Sequence, residues 1–71
     1  MNSRPSIARL RLVVEHLAGG ATAEQAAERI EVSEKTVRRD IDLLRDFLGY
    51  DMEYDNAQRR WRVKIPKERV L

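Results

Sequence analysis

Apolar residues along this chain first recur at helical spacing and then switch to strict alternation. Ile7, Leu10, Val13, Val14 and Leu17 lie three or four positions apart, which predicts a first helix over about 6–18. Pro5 suits its first turn, where a missing N–H costs nothing, and Gly19 and Gly20 follow its end. Thr22 then precedes AEQAAERI. Its hydroxyl can cap a second helix over about 23–30 while Gln25 reaches back to the Thr22 N–H. Ala26, Ala27 and Ile30 give that helix a narrow apolar stripe, open to close approach by a neighbour.

Ser33 is a preferred N-cap residue, and Val37, Ile41, Leu44 and Leu48 follow at i, i+4, i+7 and i+11. A third helix is predicted over about 34–48, stopped by Gly49. Only Glu31, Val32 and Ser33 separate it from the second, so the chain must turn sharply with Val32 pointing inward.

Beyond Gly49 the period falls to two. Met52 and Tyr54 alternate with Asp51, Glu53 and Asp55, and Trp61, Val63 and Ile65 alternate with Arg60, Arg62 and Lys64. Asn56, Ala57, Gln58 and Arg59 read as the turn of a hairpin over about 51–65, closed by Pro66. Pairing Tyr54 with Trp61 sets Met52 opposite Val63 on one face, expected to cover the third helix. The same register opposes Asp51 to Lys64, Glu53 to Arg62 and Asp55 to Arg60. Arg62 is thereby expected to be held by Glu53, whereas Arg59 has no partner in this scheme.

The pattern describes one domain over 1–71, mainly α with a small β-hairpin. Composition narrows its chemistry. There is no cysteine, and the single His16 has no second ligand at metal-binding spacing, so no metal or other cofactor is expected. Apolar residues make up 42% and charged residues 37%, which suits a compact domain rather than a disordered tail. No segment has the apolar length of a secretory signal or a membrane span, so a cytoplasmic location and no membrane partner are expected. No nucleophile or carboxylate pair has a convergent base, so no enzyme is expected. The net charge is only +2, so binding of a polyanion must rest on where the cations sit.

They sit at the start of the third helix. Val37, Ile41, Leu44 and Leu48 share one side, Lys35, Arg39 and Asp42 lie roughly opposite, and Thr36 and Arg38 flank them. Ser33, Lys35, Thr36, Arg38 and Arg39 together offer donors to phosphates and base edges. An arginine can donate twice to guanine O6 and N7. The same residues also describe a solvated face tied by Glu34–Arg38 and Arg38–Asp42 pairs. Their place directly after a three-residue turn favours contact with double-stranded DNA.

The run VSEKTVRRDIDLLRDFL resembles the recognition-helix signature of DeoR-type bacterial repressors. It is similar also to the winged domains that precede WYL or biotin-repressor-type effector domains. The likeness runs from RLRLVVEHLAGG through EYDNAQRRWRVK, and is most specific at Val32-Ser33 and Thr36-Val37-Arg38-Arg39-Asp40-Ile41. It implies a three-helix winged helix-turn-helix acting in transcription regulation or as a small phage- or plasmid-type DNA-binding factor, with Ser33, Lys35, Thr36, Arg38 and Arg39 on DNA and Asp40 structural. Glu31 departs from the glycine common at its turn position, and Trp61 replaces a common wing tyrosine. Repressors of that kind sense a small molecule through a separate domain, and no such effector is expected of these 71 residues.

In the hairpin, Arg59 and Arg60 are the expected backbone contacts, ahead of Arg62 and Lys64. Arg4 and Arg9, near the start of the first helix, are expected to add phosphate contacts. Trp61 and Tyr54 are expected to pack rather than stack on bases. Leu43 and Phe47 widen the third helix's apolar arc, by packing under the hairpin or by a homodimer contact. The competing reading is a winged-helix protein-interaction module without DNA. The near balance of 14 basic and 12 acidic residues favours it, as do Asp42 and Asp46 on the exposed face.

Overall fold

The computed structural model describes residues 7–64. Expectations at Arg4, Pro5, Ser6, Ile65 and Pro66 therefore lie outside the described residues. Three helices, α1 (Ile7–Ala18), α2 (Ala23–Ile30) and α3 (Glu34–Asp46), are followed by strands β1 (Asp51–Asp55) and β2 (Arg60–Lys64). The strands pair antiparallel in the expected register, with Tyr54 opposite Trp61 and Met52 opposite Val63.

The helix ends explain how α1 and α2 are closed. After α1, the Gly20 N–H donates to the Leu17 carbonyl and the Ala21 N–H to that of His16, with Gly20 at φ 102°. After α2, the Glu31 N–H donates to Glu28 and the Val32 N–H to Ala27, with Glu31 at φ 64°. Both are Schellman closures, which place one left-handed residue within two positions of the helix end. Glycine fills that place after α1 and glutamate after α2. A side chain in the left-handed region costs about 1 kcal/mol, so Glu31→Gly should stabilise the domain by about 0.5–1 kcal/mol. That is a rise of several degrees in the thermal midpoint of so small a domain. An unchanged or lower midpoint would mean that Glu31 makes up its strain through contacts of its own.

The core fills the space between the three helices. Val13, Leu17, Val37, Ile41 and Leu44 are its largest fully buried side chains, with Ala26 and Ala27 letting α2 come close. Thr22 caps α2 through the reciprocal pair expected of it: its Oγ1 accepts from the Gln25 N–H, and its own N–H donates to Gln25 Oε1.

Four expectations need correction. The third helix ends at Asp46, not Leu48; Leu48 is half-buried in the closing turn, its N–H donating to the Leu43 carbonyl. The hairpin does not simply cover α3: β2 lies along α1, and β1 meets α3, so the buried Met52 reaches into the shared core. Phe47 does not pack under the hairpin and is 79% exposed. It follows α3 nine residues after Arg38, roughly half a revolution away at about 100° per residue, and Arg38 is the residue that faces the hairpin. Tyr54 is 47% exposed and meets Trp61 edge-on with ring centroids 5.5 Å apart, while Trp61 is half-buried against the core.

Candidate nucleic-acid interface

The start of α3 is fixed by its own sequence. Ser33 is the N-cap in extended conformation, and its Oγ accepts from the Thr36 N–H at 3.1 Å. The two hydroxyls also share one hydrogen bond at 2.9 Å, which leaves one hydroxyl proton free for another acceptor. Ser33 and Thr36 thus serve the helix first and can offer a single further donor between them.

Lys35 and Arg39 stand on the exposed side of α3, away from Val37, Ile41 and Leu44. The acids on that side are engaged elsewhere. Arg45 Nη2 lies 3.2 Å from Asp42 Oδ1 and its Nε 3.6 Å from Asp46 Oδ1. The Arg38–Asp42 pair considered from spacing is not formed, because Asp42 goes to Arg45. Neither Lys35 nor Arg39 has an ion pair among the described residues. Arg45 has no place in the expectations from sequence, although its spacing of three from Asp42 is the signal for the pair it forms.

Arg38 is held on the flank. Its Nε and Nη2 both donate to Glu34 Oε2, at 2.9 and 2.6 Å. Both side chains line an open cleft between α3 and the hairpin, together with Thr22 at the start of α2 and Tyr54, Arg59 and Trp61. The fold thus brings Arg38 and Arg59 to one cleft, although 21 positions separate them along the chain.

The hairpin tip is ordered by Asp55, whose Oδ1 accepts from the Ala57 and Gln58 N–H groups at 2.9 and 3.2 Å. With its carboxylate used there, Asp55 makes no ion pair with Arg60. Instead Arg60 lies over the α1–α2 turn: a Cβ built on Gly20 would come within 3.1 Å of its Nη1. Arg59, at φ 55°, is exposed and has no ion pair among the described residues.

The charge ladder of the hairpin is a correction. Glu53 faces Arg62 and Asp51 faces Lys64 in register, yet neither pair closes among the described residues. Long side chains in water gain little by locking together. Arg62 is therefore not held by Glu53.

Arg9 is the other correction. It was expected on a phosphate, but its Nε and Nη2 grip the two carboxylate oxygens of buried Asp40 at 2.8 and 2.9 Å. The Asp40 hydrogen bond lifts the guanidinium above its ordinary pKa, against the lowering effect of burial. Arg9 acts inside the fold, tying α1 to α3. His16 is half-buried, and among the described residues no group of histidine, cysteine or carboxylate side chains could hold a metal ion.

The three helices, the tight connection before α3 and the antiparallel hairpin make a winged helix-turn-helix. The model of one protein family, described as an HTH domain, matches residues 9–56, about two thirds of the chain. The chain belongs to that family. HTH domains of this kind occur in DeoR-, biotin-repressor- and WYL-type regulators, and the family is a non-catalytic DNA-binding domain. Membership makes DNA the implied partner. No curated protein and no solved structure matches the chain. Among the described residues, no helix is long and apolar enough to cross a membrane.

Proposed function

We propose that this HTH domain reads a specific double-stranded DNA sequence in transcription regulation, acting inside the cell as a single domain over residues 1–71. In this reading α3 enters the major groove. Lys35 and Arg39 meet bases and phosphates, and Arg38 meets a base edge from the flank. Ser33 and Thr36 contribute the one hydroxyl donor left by their cap. Arg59 meets the backbone at the wing, and Arg60 meets it from its place over the α1–α2 turn. The observation that carries the proposal is the arrangement of cations on α3. Asp42 and Asp46 on its outer face both pair with Arg45, and Lys35 and Arg39 have no ion pair among the described residues. The protein-interaction reading draws on Asp42 and Asp46, which stay exposed and share the one arginine.

Selection of bound sequences from a random duplex pool tests the proposal, followed by salt titrations on the selected site and on arbitrary DNA. A specific site should emerge, and its symmetry will report whether one copy or a homodimer binds. Arg39→Ala should weaken the selected site by roughly 5- to 150-fold, the equivalent of a base contact worth about 1–3 kcal/mol. Arg59→Ala should weaken all sequences alike and reduce the slope of log affinity against log salt by about one unit. If no sequence is enriched and binding to duplex DNA is insensitive to salt, the protein-interaction reading takes its place.

A further inference from the structure

We propose that Glu34 is a positioning residue for sequence readout: it holds Arg38 so that the outer end of the guanidinium faces a guanine. The inference rests on the DNA-reading function proposed above and adds to it a residue that opposes the phosphates in charge.

The geometry is specific. A guanidinium has five N–H donors in a planar fork. One edge carries Nε and Nη2, and Glu34 takes that edge on a single oxygen, Oε2, at 2.9 and 2.6 Å. Three N–H donors remain, on Nη1 and the far side of Nη2. They form the end-on fork that matches the paired O6 and N7 acceptors of guanine. Arg38 remains mostly exposed, its side chain 65% accessible, so the pair leaves that fork open to solvent.

Position supports the same role. Glu34 is the first residue of α3, one turn before Arg38, and both line the cleft between α3 and the wing. A free arginine at this flank could sample many rotamers and follow phosphates as readily as bases. Fixing it along the helix lowers the ordering cost of the base contact and denies the side chain to backbone sites. The carboxylate also repels phosphates, which weakens non-specific binding everywhere. Both effects widen the gap between the correct site and the rest of the DNA.

Two variants separate these effects, because Glu34→Ala and Glu34→Gln remove the same charge and only glutamine keeps an oxygen acceptor for Arg38. First, Arg38→Ala on the selected site identifies the base pair whose discrimination depends on Arg38. Discrimination at that base pair is then measured for both Glu34 variants, with affinity for arbitrary duplex DNA and thermal unfolding recorded alongside. Glu34→Ala should lower discrimination at that base pair by about two- to fivefold, the range open to an exposed ion pair. Glu34→Gln should retain most of it. Both should bind arbitrary DNA more tightly than wild type, and adding Glu34→Ala to Arg38→Ala should cost no further discrimination. If the two variants lose discrimination equally, or neither loses any, Glu34 acts only as a charge and the positioning role is overturned. If the wild-type protein selects no site, the DNA-reading proposal itself has failed. A selected site with unchanged discrimination in Glu34→Ala removes the positioning role alone.

Discussion

Val37→Asp should leave the domain largely unfolded at neutral pH, whereas Val37→Ala should fold with a lowered melting temperature. Val37 has no exposed surface and stands among the largest fully buried side chains, with Val13, Leu17, Ile41 and Leu44 around the junction of the helices. Removing its apolar contacts costs about 2 kcal/mol, and the alanine variant pays only that. The aspartate adds a carboxylate without a buried partner. Keeping it neutral near pH 7 costs about 4 kcal/mol, given an unperturbed pKa near 3.9 and about 1.36 kcal/mol per pH unit. Together these approach the whole stability of a domain this size, about 4–11 kcal/mol at typical values per residue. The sign with pH follows. A buried aspartate has a folded-state pKa raised above its unfolded value, so its penalty shrinks as pH falls toward about 4. Far-UV circular dichroism during heating, at neutral and mildly acid pH, measures both variants. A cooperative transition for Val37→Asp near that of wild type would put position 37 outside the core.

Much of this fold was legible because the signals are local. Alternation fixed the hairpin register, since a slip by one residue would turn Met52 and Val63 toward solvent. Caps at Thr22 and Ser33 set the starts of α2 and α3 through hydrogen bonds spanning three residues. Glu31, noted as a departure from glycine, proved to hold the left-handed position that makes glycine common there.

What was not legible depends on which elements meet in space. Periodicity places Phe47 near the apolar arc of α3 but cannot say which flank the wing covers, and the wing covers the flank of Arg38. Tyr50, beside Gly49, carries no periodic signal, yet it is buried with its N–H bonded to the Leu44 carbonyl. The candidate site divides in the same way. Lys35 and Arg39 were legible as outward cations from helical angle alone. The free state of those cations was not, because it depends on Arg45 choosing Asp42 and Asp46. Opposed charges on the wing were legible as neighbours, but register does not decide whether two exposed side chains close a bond. Arg9 was misassigned because its partner lies 31 residues away.

That partner supplies the second large effect: Asp40→Ala should cost about 2–3 kcal/mol, a little below the range for breaking a fully buried ion pair. Asp40 is 2% exposed, and it accepts two hydrogen bonds from Arg9, whose side chain keeps 20% of its surface in water. Alanine leaves that guanidinium part-buried without its carboxylate, and the residual contact with water is what lowers the cost. The loss corresponds to about 10–20 °C in melting temperature for a domain of this size. Much of this penalty comes from keeping a part-buried charge without Asp40 rather than from lost attraction, so a double variant, Arg9→Met with Asp40→Leu, should recover much of the stability. The pair also bears on the proposed function, because it ties α1 to α3, the helix proposed to read DNA, and engages Arg9 within the fold. Arg9→Met alone should therefore destabilise the domain by leaving Asp40 unpaired. Well below its melting temperature, it should keep the wild-type slope of log affinity against log salt. A slope reduced by about one unit in that variant would return Arg9 to the DNA interface. Equal melting temperatures for Asp40→Ala and wild type would show that the Arg9–Asp40 contact adds nothing to the folded state.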